Sequence, residues 1–242
     1  MSYEPIITPP IFSGFPVKAF FTTKAFGSLE LGVQSAELKG SVVYLPIQKH
    51  TDKVLIVDYD VDPKIADAVI TNRKDILIGI QTADCAPVLL YDAKRHIAGA
   101  VHAGWRGTAA EILKKTIRTM TDRLYSSPDD ILIAIGTGIR WCCYNVGYEV
   151  IEAVEKATSS EFGDFGELSR AVQSSEDYII KKGEKYCLDL PTANKYQAIS
   201  SGVPADNIWM SDECTFCLPE KYYSYRYAKG VTGRQYGFIG IV

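Results

Sequence analysis

The chain lacks several features that mark whole classes of protein. It has no apolar run near membrane-spanning length, and its N-terminus shows no basic segment followed by an apolar core, so we expect a cytoplasmic protein without a membrane partner. A net charge of -3 gives no electrostatic basis for binding nucleic acid. Low-complexity tracts, charge blocks and Gly/Ser linkers are absent as well. We therefore predict a single globular domain over residues 1–242, because 47% hydrophobic residues suffice for one sizeable core.

Histidine is also scarce, with three in 242 residues. The six cysteines are expected to be buried thiols or ligands rather than disulfides in a reducing compartment. Cys214 and Cys217 have the spacing of a zinc ribbon, but no second CxxC accompanies them. A four-thiolate site with Cys142 and Cys143 would need two adjacent residues as ligands. We therefore interpret these four cysteines as small buried hydrophobes.

Apolar patterning predicts strands and helices that alternate along the chain, with hairpins mixed in. A mixed-sheet α/β sandwich suits this order better than a purely doubly wound fold. The polar stretch 159–183 predicts loop with some helix. The predicted strands are 54–57, 76–80, 87–91, 97–101, 131–135, 208–210, 222–227 and 236–242. The predicted helices are one that begins at a capping box formed by Thr108 and Glu111, one over 148–157 and one over 191–201.

Two motifs carry most of the chemical information: Gln81-Thr82-Ala83-Asp84-Cys85 and Val101-His102-Ala103-Gly104-Trp105-Arg106-Gly107. A tight turn at 92–95 makes their strands antiparallel neighbours, which places Cys85 and His102 at the same end. With His50, which precedes an apolar strand, they make two imidazoles and one thiolate. This is a good three-ligand zinc set with a fourth position open. The spacing matches no short zinc signature, and a lone histidine before a strand is more often structural.

Glycines flank Trp105 and Arg106 just before a predicted helix. Backbone N–H groups and the helix dipole attract anions at such a position, and Arg106 can add a bidentate contact to phosphate or carboxylate. The alternative is a Trp105 that belongs to the core and an Arg106 that caps the surface. These residues by themselves do not decide between the two.

At these same residues the chain resembles a known bacterial family, the laccase-domain or multicopper polyphenol oxidase proteins, whose members are understood as zinc-dependent purine nucleoside enzymes. The segment before the first histidine departs from the family pattern, because Thr23-Lys-Ala-Phe-Gly27 replaces the usual Arg-x-Gly-Gly turn. The matching blocks are Asp67-Ala-Val-Ile-Thr-Asn72, Thr82 to Asp92, Ala100 to Thr108, Cys142-Cys-Tyr-Asn-Val-Gly147, Cys214-Thr-Phe-Cys217, Tyr223-Ser-Tyr-Arg226 and Thr232-Gly-Arg234.

The resemblance implies a Zn²⁺ site on His50, Cys85 and His102 and a four-layer α/β/β/α arrangement. It also implies phosphorolysis of adenosine, inosine, guanosine and methylthioadenosine, together with adenosine deamination, so the expected partners are purine nucleosides and phosphate. Copper oxidation fits poorly, since three histidines cannot supply a type 1 and a trinuclear copper centre.

Within this hypothesis, Arg106 and the amides after Gly104 are predicted to hold phosphate. Asp84 is predicted to carry a proton or to orient a histidine ligand. Two other functions stay open. Cys85 and His102 can form the nucleophile and base of a cysteine hydrolase or deamidase. Alternatively, the cleft can bind a nucleotide or cell-wall precursor in a metal-dependent way without turnover.

Overall fold

The computed structural model describes residues 3–27, 38, 42–158, 178–182 and 185–242. Its strands are β1 (Ile6–Ile7), β2 (Val17–Thr22), β3 (Val42–Tyr44), β4 (Val54–Ile56), β5 (Ala68–Thr71), β6 (Ile76–Thr82), β7 (Ala86–Asp92), β8 (Ile97–Ala103), β9 (Ile131–Ile135), β10 (Asn145–Val146), β11 (Ile179–Lys182), β12 (Lys185–Leu188), β13 (Ile208–Met210) and β14 (Gln235–Ile241). Its α-helices are α1 (Trp105–Ala109), α2 (Ile112–Leu124), α3 (Tyr148–Thr158) and α4 (Leu190–Ser200).

Two mixed sheets form the centre of the fold. The six-stranded sheet has the order β13-β9-β7-β8-β5-β4 and the five-stranded sheet the order β1-β2-β14-β6-β3. Most neighbouring strands are antiparallel, whereas β13 with β9, β4 with β5 and β3 with β6 are parallel. A small sheet, β10-β12-β11, lies apart from them. The predicted mixed-sheet α/β class is confirmed.

The core lies in layers on either side of the six-stranded sheet. One face packs on the five-stranded sheet, through residues such as Leu89 and Ile239. The other face packs on α2 and α4, where Ile117 is buried. On the outer face of the five-stranded sheet, the described residues include Phe238 and Leu38.

The helix predicted from the capping box begins earlier than expected. Gly104 is the N-cap of the short α1, and Thr108 lies inside that helix, fully buried, where its hydroxyl accepts a hydrogen bond from Asn194. Glu111 adopts a left-handed conformation with φ of 61° and separates α1 from α2. The capping-box interpretation is therefore wrong. The helices predicted over 148–157 and 191–201 are confirmed within one residue at each end.

Residues 222–227 form a bend, an irregular stretch and a turn, and not the predicted strand. Their backbone groups bond to side chains instead of a neighbouring strand: the Tyr223 N–H donates to Gln235 and the Arg226 N–H donates to Asp84. Alternating aromatic residues therefore gave a false strand pattern. Of the predicted loop 159–183, residues 159–177 and 183 lie outside the described part of the chain. Among the described helices, none combines the length and apolarity that crossing a membrane requires.

Candidate metal centre and adjoining cavity

The centre lies where the chain passes from one large sheet to the other. Strand β6 ends at Thr82 in the five-stranded sheet, and β7 begins at Ala86 in the six-stranded sheet. Asp84, between them, has a φ of 93°, which turns the chain sharply. Strands β7 and β8 are antiparallel, with Pro87 opposite His102, so Cys85 lies beside His102 as the sequence predicts.

His50 completes a cluster with Cys85 and His102. One ligand atom from each residue, two imidazole nitrogens and one sulfur, lies within 4.8 Å of the others. The two imidazole rings meet edge to face, with centroids 4.9 Å apart. His50 is exposed in the loop before β4, Cys85 is half-buried and His102 is buried. The structure thus brings together all three residues predicted as metal ligands.

Asp67, a fully buried carboxylate before β5, organises this cluster. Its Oδ1 accepts hydrogen bonds from the His50 backbone N–H at 3.0 Å and from His102 Nδ1 at 2.8 Å. Its Oδ2 accepts from the backbone N–H of Lys49 and from the N–H and hydroxyl of Thr51. Because His102 Nδ1 is held by Asp67, its Nε2 keeps the lone pair that a metal ion needs.

The charges in this cluster shift its ionisation strongly. Burial opposes the Cys85 thiolate, but His102 and His50 outweigh it and lower the pKa of Cys85 to about 6. Burial also opposes a charged His102, yet Cys85 and Asp67 raise the pKa of His102 to about 9. Despite its own burial, Asp67 has a pKa well below the usual range, because His102 and Thr51 donate hydrogen bonds to it. Without a metal, Cys85 and His102 therefore form an ion pair near neutral pH.

The donor set and its surroundings fit a metal ion. One thiolate and two imidazoles are typical ligands of an open zinc site, in which neighbouring ligand atoms lie roughly 3.4–3.6 Å apart. Gly104 lies against them: a Cβ at this position would be 2.8 Å from Cys85 Sγ and 3.4 Å from the His50 ring. Because Gly104 has no side chain, Cys85 and His50 can occupy their positions without a clash.

A cavity of about 510 Å³ opens over the cluster, a size suited to a small organic ligand. Three arginines line it, Arg106, Arg226 and Arg234. Aromatic rings line it too. The lining residues are Gln48, His50, Gln81, Thr82, Ala83, Asp84, Cys85, His102, Trp105, Arg106, Tyr144, Tyr225, Arg226 and Arg234.

Arg106 is exposed and stacks on its neighbour, with its guanidinium carbon 4.5 Å from the centroid of the Trp105 ring. Trp105 lines the cavity and also packs against a hydrophobic cluster, and the anion-binding role predicted for this motif stays a prediction. Helix α1 has five residues, too few for a strong dipole. The positive charge on the cavity lining is therefore carried by the arginines and not by the helix N-terminus.

Asp84 faces the cavity but is bonded to the far wall. Its Oδ1 accepts from the Thr215 hydroxyl at 2.6 Å and its Oδ2 from the Arg226 backbone N–H at 2.7 Å. The carboxylate that bonds to His102 Nδ1 is Asp67, whereas Asp84 bonds to Thr215 and Arg226, and the orienting role predicted for Asp84 stays a prediction. A proton-carrying role for Asp84 stays a prediction.

Sequence reasoning missed Asp67 and the roles of Arg226 and Arg234. A signal for Asp67 existed, because it is an acidic residue at the start of the apolar run Ala68–Thr71, where a carboxylate needs a buried partner. The two arginines follow aromatic and glycine-containing turns, a pattern that carries no chemistry until the fold places them together.

Comparison with known proteins places these residues in a family context. Residues 28–242 match the family model described as multi-copper polyphenol oxidoreductase laccase. The chain is 33% identical over 186 residues to the purine nucleoside phosphorylase YlmD of Bacillus subtilis. That match covers 76% of the chain but only 62% of the relative, so the chain spans less than two thirds of that protein.

Two further likenesses add to this. The chain is 32% identical over 226 residues to adenosine deaminase RL5 from an unknown prokaryotic organism, covering 88% of the chain and 78% of RL5. The crystal structure of YlmD from Geobacillus stearothermophilus superimposes with a TM-score of 0.82 at 25% identity, covering 100% of the chain and 97% of that structure. The fold is thus shared with that solved structure.

Proposed function

The chain belongs to the multi-copper polyphenol oxidoreductase laccase family, and on that premise we propose that it is a zinc-dependent purine nucleoside enzyme. The proposed reactions are phosphorolysis of purine nucleosides and deamination of adenosine. One observation carries the proposal: a Cys/His/His donor set and three arginines line one cavity of about 510 Å³. Multicopper chemistry does not suit this chain, because its whole sequence contains three histidines.

His50, Cys85 and His102 would hold the zinc ion, with Asp67 fixing the His102 ring. When bound, zinc supplies Lewis-acid chemistry, polarising an electronegative atom of the ligand beside it. These three residues lie at the end of the strands and leave one side of the cluster facing the cavity. A nucleoside in the cavity would therefore be within reach of both the metal ligands and the arginines.

The arginines are the proposed phosphate site. A guanidinium group forms charge-assisted, often bidentate bonds to phosphate. Arg106 is held by Trp105, and Arg226 lies 5.1 Å from the centroid of the Tyr144 ring and donates to the Asn145 carbonyl at 3.1 Å. Because these contacts restrict both side chains before phosphate arrives, less conformational entropy is lost on binding.

Phosphorolysis breaks the glycosidic C1′–N9 bond and forms a bond from a phosphate oxygen to C1′. The electron pair leaves with the purine, which takes up one proton and departs as the free base. Trp105, Tyr144 and Tyr225 offer aromatic faces on which a purine can stack. Asp84 fixes the backbone of Arg226 and the Thr215 hydroxyl, so its contacts support a positioning role within this site.

A cysteine hydrolase is the second candidate, and one observation favours it. Cys85, His102 and Asp67 form a nucleophile, base and orienting carboxylate, and the pKa of Cys85 falls to about 6. This function needs no metal. The zinc enzyme and the hydrolase therefore differ in what removal of metal does to turnover.

The test is product identification. Zinc-loaded protein is incubated with adenosine, with and without phosphate, and products are identified by mass spectrometry. Cys85→Ala is the inactive variant, and Cys187→Ala, a buried cysteine outside the cluster, is its matched control. The proposal is supported if the wild type and Cys187→Ala form either adenine with ribose 1-phosphate or inosine, and Cys85→Ala forms none of them. Tight binding of adenosine without any product would instead favour a binding protein. Turnover by the metal-free protein would favour the cysteine hydrolase.

A further inference from the structure

Four cysteines that the proposed function does not use meet on one side of the molecule. Cys142 and Cys143 lie in the turn at residues 141–143, and Cys214 and Cys217 lie in the turn after β13. All four sulfur atoms lie within 4.8 Å of one another. Cys217 Sγ is 3.5 Å from Cys142 Sγ and 3.3 Å from Cys143 Sγ. Residues some 74 positions apart in the chain thus converge on one point.

Burial does not explain this cluster. Cys142 and Cys217 are exposed, Cys143 is half-buried and Cys214 is buried, so the interpretation of all four as small core hydrophobes is wrong. Exposed thiols gain nothing from gathering as apolar groups, because their surfaces stay in water. A shared ligand is the common reason for sulfur atoms to converge from two separate turns.

The backbone around the cluster has the features of a thiolate metal site. Gly138 and Cys214 form a parallel bridge that sets the two turns side by side. The Arg140 backbone N–H donates to Cys214 Sγ at 3.4 Å, a bond that stabilises negative charge on sulfur. The Leu218 N–H donates to the Cys214 carbonyl at 3.2 Å and closes a turn that points both sulfurs of a C-x₂-C unit to the same side.

We propose that Cys142, Cys143, Cys214 and Cys217 bind a structural zinc ion as four thiolates. Tetrahedral zinc with bonds of about 2.3 Å places its sulfur ligands about 3.8 Å from one another, close to the spacing of these atoms. Binding converts four thiols to thiolates and releases four protons to solvent. Four sulfurs leave no open coordination position, so this ion has a structural and not a catalytic role.

The cysteine cluster lies next to residues that line the cavity. Thr215, between Cys214 and Cys217, donates its hydroxyl to Asp84, and Tyr144, next to Cys143, lines the cavity. Zinc at the four cysteines therefore cross-links the two turns that adjoin Tyr144 and Asp84, two residues of the cavity lining. This inference concerns a second ion and does not depend on the reaction at His50, Cys85 and His102.

Zinc content of the purified protein tests the inference, measured by elemental analysis against chain concentration. The wild type should hold about two zinc ions per chain, whereas Cys217→Ser and Cys142→Ser should each hold about one. Both side chains are exposed, so neither change creates a core cavity, and circular dichroism verifies folding. Cys85→Ser should also hold about one, while Cys187→Ser, a cysteine outside both sites, should hold about two.

Cobalt substitution identifies the ligands. The Cys85→Ser protein loaded with Co²⁺ should show the intense thiolate-to-cobalt charge-transfer bands of a tetrathiolate site, and Cys217→Ser should lose most of that intensity. The inference is overturned if the wild type holds one zinc ion that Cys85→Ser loses completely. It is equally overturned if the four cysteines carry iron, or if intact mass shows the loss of two hydrogens to a disulfide among them.

Discussion

Asp67→Asn is the change that most directly tests how the first metal site is organised. The carboxylate accepts three hydrogen bonds at Oδ2, from Lys49 and Thr51, and two at Oδ1, from His50 and His102. An asparagine keeps the shape but replaces one acceptor oxygen with an NH₂ donor. In either orientation of the amide, that NH₂ group faces backbone or side-chain donors.

The cost can be worked from these contacts. Hydrogen bonds to a charged group contribute about 1.5–3 kcal/mol each. If the NH₂ group replaces Oδ1, the two hydrogen bonds from His50 and His102 are lost, which should lower the free energy of unfolding by about 3 kcal/mol. In a chain of this length that corresponds to a loss of roughly 6–12 °C in Tm. Loss of the carboxylate behind a ligating histidine should also weaken zinc binding about 10- to 100-fold.

Urea unfolding of the metal-free protein measures the first effect and chelator competition the second. Asp62→Asn, at an exposed carboxylate away from the site, is the matched control and should change neither. Zinc affinity and unfolding free energy both within error of the wild type in Asp67→Asn would refute the reasoning. A loss of stability alone, with zinc affinity intact, would refute the role of Asp67 in orienting His102.

Three further predictions concern the same site. Gly104→Ala should weaken zinc binding about 10-fold, measured by chelator competition, because the new Cβ would lie 2.8 Å from Cys85 Sγ. Arg106→Ala should raise the phosphate KM about 10-fold or more with little change in the nucleoside KM. Arg118→Ala, at an exposed arginine, is the control and should change neither KM. The same phosphate KM in both variants would count against the phosphate site. In the metal-free protein, alkylation of Cys85 should have its midpoint near pH 6. The pKa of Cys85 is depressed, so the stability from the ion pair should be lost as pH falls through about 6. The pKa of His102 is raised to about 9, so that stability should also be lost as pH rises through about 9. An alkylation midpoint near the ordinary thiol pKa would contradict this.

The sequence predicted the parts of the site that depend on local structure. A four-residue turn and two apolar runs were enough to place Cys85 beside His102, because antiparallel hairpin strands pair in a register set by their turn. His50 was predicted as the third ligand from its donor type, and the family resemblance implied the same set. Its position depends on a bond to Asp67, which lies 17 residues further along the chain, and no periodic pattern encodes such a bond.

The parts that could not be predicted are those that the tertiary structure alone brings together. Tyr223 and Arg226 lie in turns because Gln235 and Asp84 accept their backbone hydrogen bonds, although their aromatic pattern is typical of a strand. The sequence favours small buried hydrophobes at the four cysteines, because Cys142 and Cys143 are adjacent and no second CxxC accompanies Cys214 and Cys217. Only the bridge between Gly138 and Cys214 shows that the two adjacent cysteines can both face Cys217.

The measurement that tests the central claim most directly is a zinc titration of metal-free protein while release of purine base is followed in the presence of phosphate. The account predicts no turnover at the start, a rise that saturates as zinc is added, and no rise in Cys85→Ser at any zinc concentration. Full turnover by the metal-free wild type, unchanged on adding zinc, would contradict the zinc enzyme and assign Cys85 the role of nucleophile.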